Sequence, residues 1–101
     1  MDKILIIVYV PLIDEKFEIF IPINKKIGNI IGLVSKIVSD MSGGYFVASE
    51  KNSLYSGDTG DEYPIDVLVI DTDIRNGSKL ILMWGDLGGN IYGLKKTTKC
   101  I

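Results

Sequence analysis

Between Ile27 and Met41 the apolar residues fall into a helical period, and this stripe limits what the chain can build. Ile27, Ile30, Ile31, Val34, Ile37, Val38 and Met41 recur at three- and four-residue spacings, the pattern of an amphipathic helix. One apolar stripe needs a second layer to bury it, and the flanking sequence supplies strands. "ILIIVYV", Ile4 to Val10, is rich in β-branched residues and stops at Pro11. In "KFEIFIP", Phe17, Ile19 and Ile21 alternate with Glu18 and Phe20 and end at Pro22. Joined by a short polar connection, the two runs read as an antiparallel hairpin.

Asn24 is the expected N-cap of the helix, because its side-chain oxygen can accept a first-turn N–H. Lys25 and Lys26 stand at the end where the helix dipole disfavours cations. Gly28 and Gly32 each cost about 0.8–1 kcal/mol relative to alanine. Their spacing puts them on one side, where they either let the helix lie close to a sheet or are simply tolerated. "SGG", Ser42 to Gly44, closes the helix. "YFVAS", Tyr45 to Ser49, is expected as a short strand, and Ser53 to Ser56 as a brief one inside a loop that ends at Pro64. "IDVLVIDTDI", Ile65 to Ile74, reads equally as a strand or as a helical turn under the sheet. Asn76-Gly77 marks a tight turn. After it, Leu80 and Leu82 alternate with Lys79, Ile81 and Met83 in a last strand.

The implied class is α+β, with a mixed sheet of four to five strands and one main helix packed across one face. Residues 1–84 form the expected domain. Residues 85–101 follow as a C-terminal tail, either loosely ordered or docked on the sheet through Leu87, Ile91, Tyr92 and Leu94.

At 101 residues the chain has the length of one domain. Its net charge of −2 gives no expectation of binding nucleic acid or an anionic membrane. Lys95, Lys96 and Lys99 form its small basic group. The N-terminal apolar run is too short to span a bilayer, and Asp2 spoils the basic region of a signal peptide. A lone cysteine, Cys100, precludes an internal disulfide, so a reducing cytoplasm is the expected compartment. There is no histidine, which removes imidazole catalysis and histidine metal sites. "SGGYF" and "SGDTG" match no phosphate-binding loop. "DTGDE", Asp58 to Glu62, lacks the spacing of a calcium loop and reads as a solvated acidic loop. No catalytic residue, cofactor or metal is expected.

The paired N-terminal strands, "IPINKKIGNIIGLVSKIV" and "IRNGSKLILM" together resemble the β-grasp fold of ubiquitin and its relatives. More closely, the chain resembles the bacterial ubiquitin-like proteins of the EsaB/YukD type, associated with type VII secretion in Gram-positive bacteria. The resemblance covers Met1 to about Met83. It implies a non-enzymatic cytoplasmic protein that acts by contacting other proteins, as an accessory or regulator of secretion. Ubiquitin and sulfur-carrier relatives work through a C-terminal diglycine. Here Gly88-Gly89 are followed by twelve residues, so a carrier or modifier role would need cleavage after Gly89.

Strand parity supplies the candidate site. With Ile4, Ile6 and Val8 towards the helix, Leu5, Ile7 and Tyr9 point away, joined by Phe20 and by Ile81 and Met83. An open sheet face usually shows water polar residues, and a contiguous apolar patch there marks protein contacts. The expected surface is centred on Phe20 and Met83 and rimmed by Glu18 and Lys79. It would take a protein partner or a second copy in a small homo-oligomer. A tail folded back over the patch is the rival explanation, and a misread parity a third.

Overall fold

The computed structural model of the chain describes residues 2–46, 48 and 51–84. Its elements are β1 (Lys3–Val10), β2 (Glu15–Pro22), α1 (Ile27–Met41), β3 (Ser53–Ser56), a 3-10 turn at Val69–Asp71, and β4 (Ser78–Met83). The strand order is β2-β1-β4-β3. β1 and β2 are the expected hairpin, with Ile6 opposite Ile19 and Val8 opposite Phe17. The Ile13 N–H donates to the Val10 carbonyl at 3.2 Å to close the turn, and Asp14 takes a left-handed φ of 52°. Aspartate visits that region more readily than most residues.

β4 runs parallel to β1, with Val8 opposite Leu80, and β3 pairs antiparallel with the far side of β4. A parallel pair cannot be joined by a hairpin, so a crossover is obligatory, and α1 provides it. The helix packs on the sheet face that carries Ile6, Val8, Val10, Phe17, Ile19, Ile21, Leu80 and Leu82, all buried. Ile27, Ile30, Ile31, Val34 and Val38 meet them from the helix, while Met41, last in the stripe, is exposed.

The helix starts differently from the sequence expectation. Asn24 is not the cap. Lys26 holds the N-cap position with ψ 152°, and no side chain caps the helix. The free first-turn donors go to backbone carbonyls instead. The Ile27 N–H donates to Val67 at 2.8 Å and the Gly28 N–H to Ile65 at 3.0 Å. In return, the Val69 and Ile70 N–H groups donate to the carbonyls of Lys25 and Ile23, at 2.9 and 3.0 Å. Residues 23–25 are thereby held in a bend and Lys26 extended, which delays the helix past Asn24.

The two glycines part company here. A Cβ on Gly28 would lie 3.3 Å from the Ile65 carbonyl oxygen, so this glycine fits the helix to a loop rather than to the sheet. A Cβ on Gly32 would meet nothing within 4 Å.

One further segment differs from the sequence reading, and one open reading is resolved. Tyr45 and Phe46 form a bend rather than a strand, and Val47 and Ser49 lie outside the described residues. Phe46 is buried and faces Trp84, with ring centroids 6.5 Å apart, so its apolar bulk plugs the core. In the Ile65 to Ile74 stretch the helical-turn alternative holds, as the short 3-10 turn in which Val69 is buried. The expected tail, with Gly88-Gly89 and Leu87, Ile91, Tyr92 and Leu94, lies outside the described residues.

Gly32→Ala should stabilise the fold by about 0.5–1 kcal/mol, the helix-propensity gain at an unobstructed site. Gly28→Ala should give no such gain, because the new methyl presses on the carbonyl that receives the Gly28 N–H. Urea unfolding of both variants measures the difference.

Candidate docking face

The backbone register sorts the side chains of the sheet face opposite the helix into rows. Leu5 lies opposite Phe20 in the first. Ile7 comes next, with Glu18 beside it on β2 and Lys79 on β4. The third row is the widest: Lys16, Tyr9, Ile81 and Tyr55, one from each strand. Met83 and Ser53 form the last.

All eight residues singled out from sequence therefore share one face, in a different arrangement from the one expected. Phe20 and Met83 do not meet. They sit at diagonal corners of the sheet, six residues of strand apart, or roughly 20 Å. Both are exposed, at 63% and 44%. Glu18 and Lys79 do not form a rim either. They flank Ile7 across the middle of the face. Lys16 and Tyr55 belong to the same surface and were missed. Lys16 was within reach of the parity argument, standing two residues before Glu18. Tyr55 was not, because nothing in the sequence gives the register of β3.

The middle rows enclose a shallow depression of about 600 Å³, lined by Ile7, Tyr9, Lys16, Glu18, Gly57, Lys79, Leu80 and Ile81. An apolar floor with a few charged walls suits an apolar side chain with polar flanks more than it suits a reaction. One wall is tied down. The Tyr9 hydroxyl donates to Asp14 Oδ1 at 2.7 Å, which pushes the Tyr9 pKa upward, chiefly through that hydrogen bond. Another wall is there because position 57 has no side chain. The Gly57 N–H donates to the Lys79 carbonyl at 2.8 Å, extending the β3–β4 ladder. A Cβ there would stand 2.7 Å from that same oxygen.

Beyond β3 lies a second cavity, of about 380 Å³, lined in part by Asp61, Tyr63, Asp71 and Asp73. Six exposed carboxylates, Asp58, Asp61, Glu62, Asp66, Asp71 and Asp73, gather in this part of the chain with no lysine or arginine from Asn52 to Ile74. The Asp58–Glu62 loop folds around Ser56 Oγ, which accepts the N–H groups of Asp58 and Thr59 at 3.2 Å. Among the described residues no cluster of three or more histidine, cysteine or acidic side chains is arranged to hold a metal. The Tyr63 hydroxyl donates to Asp73 Oδ1 at 2.8 Å, and burial, followed by that hydrogen bond, pushes its pKa to about 12.

No family model and no characterised protein matches the sequence. Solved structures do match the fold. The ubiquitin-like domain of an Arabidopsis thaliana protein is 17% identical, with a TM-score of 0.61 over 81% of this chain and 77% of that one. Ubiquitin of Caldiarchaeum subterraneum is 15% identical, with a TM-score of 0.61 over 86% and 99%. A chain of the ESX-5 inner membrane complex is 11% identical, with a TM-score of 0.59 over 81% of this chain but only 21% of that one. The fold is a ubiquitin-like β-grasp. A chain in the toluene 4-monooxygenase complex shares it too, so the fold alone names no activity.

Gly57→Ala should destabilise the domain by about 1–3 kcal/mol, since the clash is with backbone that cannot step aside. Loss of denaturant midpoint in that variant measures the cost. Tyr63 gives a pH dependence. Folding raises its pKa from 10.0 to about 12, so its stabilisation is full below pH 10 and is lost as the pH rises towards 12. Tyr63→Phe should flatten the fall in stability across that interval, measured by urea unfolding at stepped pH.

Proposed function

We propose that this chain is a non-catalytic docking module that binds another protein through its open sheet face, as a cytoplasmic accessory or regulator of type VII secretion of the EsaB/YukD kind. The observation that carries the docking reading is the third row and its neighbours. Ile7, Tyr9 and Ile81 stand side by side on a face that the helix does not cover, around a depression with Lys16, Glu18 and Lys79 on its walls. Burial of that floor would supply the free energy, and the three charges would set the register of the partner. The resemblance of "IPINKKIGNIIGLVSKIV" and "IRNGSKLILM" to the EsaB/YukD proteins supports the secretion assignment, and the fold similarity to part of the ESX-5 inner membrane complex is compatible with it.

A photo-crosslinking amino acid at Ile81, compared with one at Lys36 on the exposed side of α1, tests both levels in cells of the source organism. Position 81 should give a discrete adduct that Ile7→Glu removes, and position 36 should not. Equal adducts at both positions would defeat the docking reading. A discrete adduct at 81 with a protein unrelated to secretion would leave the docking face standing and remove the secretion role.

A further inference from the structure

The two edges of the sheet are treated differently. Lys79 offers its carbonyl to Gly57, so Lys79 and Ile81 bond towards β3 and the alternate β4 residues bond towards β1. On β3 this turns Leu54 and Ser56 outward, and both are covered. The Tyr63 N–H donates to the Leu54 carbonyl and the Ser56 N–H to the Asp61 carbonyl, each at 2.9 Å. Residues 61–63 thus cap that edge.

β2 has no such cover among the described residues. Leu5 directs its own N–H and C=O to the β4 side, towards Asn76 and Gly77. Alternation then points Ile4, Ile6, Val8 and Val10 at β2, where they meet Ile21, Ile19, Phe17 and Glu15. The N–H and C=O groups of Lys16, Glu18 and Phe20 are left facing outward. No hydrogen bond among the described residues uses them. An eight-residue edge with unpaired backbone and an exposed phenylalanine is a template for another strand.

The edge carries its own selection rule. When two copies of β2 pair antiparallel, outward residues oppose one another in registers set by the sum of their numbers. In one register Glu18 faces Glu18, which is unfavourable. In another Lys16 faces Pro22, which has no N–H to give. In the register centred on Phe17, Lys16 of one copy faces Glu18 of the other, and the twofold axis makes that pair twice. We infer that two copies of this chain associate through β2 in this register. Four backbone hydrogen bonds form, and both opposite-charge pairs are made.

The twofold axis runs perpendicular to the sheet. Eight strands become continuous, both helices lie on one side, and both open faces lie on the other. Each Phe20 packs diagonally against Lys16 of the other copy. The dimer therefore presents two docking depressions on a single surface. The inference uses the edge and does not rest on the docking reading above.

The test is light scattering and sedimentation of the full chain over a concentration series, with charge reversals. The wild type should show a concentration-dependent dimer. Lys16→Glu and Glu18→Lys should each weaken it by about tenfold or more, because each puts like charges opposite one another twice. The double reversal should restore it to within about threefold. Amide spectra showing the single variants folded separate lost pairing from lost structure.

Register is tested in a Cys100→Ser background. A mixture of Lys16→Cys and Glu18→Cys chains should form a disulfide across a pair about 5.5 Å apart at Cα. Neither variant alone should do so, since identical positions lie about 8 Å apart. A wild type that stays monomeric to millimolar concentration overturns the inference. So does a dimer that ignores the charge reversals but is abolished by Ile81→Glu, which would move the contact to the open face.

Discussion

The parallel pairing of β1 with β4 is the constraint from which the other features of the fold follow. Two parallel neighbours need a crossover, so everything from Pro11 to Gly77 is a detour between strands that end side by side. The detour is closed at Leu5. Its N–H donates to Asn76 Oδ1 at 2.8 Å, and its carbonyl accepts the Gly77 N–H at 2.7 Å. Gly77 makes this bond with φ at 90°, a backbone state that a side chain would strain. The turn sets the register of β4, and with a period of two a single-residue slip would turn Leu80 and Leu82 outward. The composition of the open face is fixed at that turn.

The helix is set by a second backbone device. Its first-turn donors meet carbonyls of residues 65 and 67, while residues 69 and 70 donate back to residues 25 and 23. Lys25 and Lys26 stand at the wrong end for the dipole, and α1 has neither an acidic first turn nor a side-chain cap. Four backbone hydrogen bonds take over the work of a cap. They also join the helix N-terminus to the segment that leads into the clamp at Leu5, so crossover and return strand are positioned together.

The legible part of this chain is what depends on periodicity. β1, β2, α1 and β4, the inward parity of Ile6, Val8, Phe17, Ile19, Leu80 and Leu82, and the α+β class follow from spacings of two and of three to four, whereas the β-grasp class was implied by the resemblance to ubiquitin and its relatives. What was not legible depends on long-range backbone bonding. Asn24 has the chemistry of a cap and lost the position to carbonyls forty residues away. Tyr45 and Phe46 have strand composition, yet Phe46 fills a space against Trp84, and no local pattern announces that. Ser35 looks like an interruption in the helix and is fully buried, accepting a hydrogen bond from Asn52 Nδ2 at 2.9 Å. In the candidate site, parity alone gave eight members of the face but not Tyr55. Its layout needed the register, which separated Phe20 from Met83 and set Glu18 and Lys79 on either side of Ile7.

Packing among the described residues does not account for the apolar side chains of the open face. The core lies on the helix side, where five helix residues together with Phe46, Val69 and Ile74 bury the inward residues of the sheet. Threonines or lysines in place of Ile7 and Ile81 would keep the strand pairing and lower the tendency to associate. The same holds at the edges, where β3 is capped by residues 61–63 while, among the described residues, β2 leaves its outward backbone groups open beside Phe20. Among the described residues, then, one face and one edge are sealed and the adjoining face and edge are not. Lys16, Glu18 and Phe20 belong to both of the open surfaces, so a contact at the edge also shapes one side of the docking face.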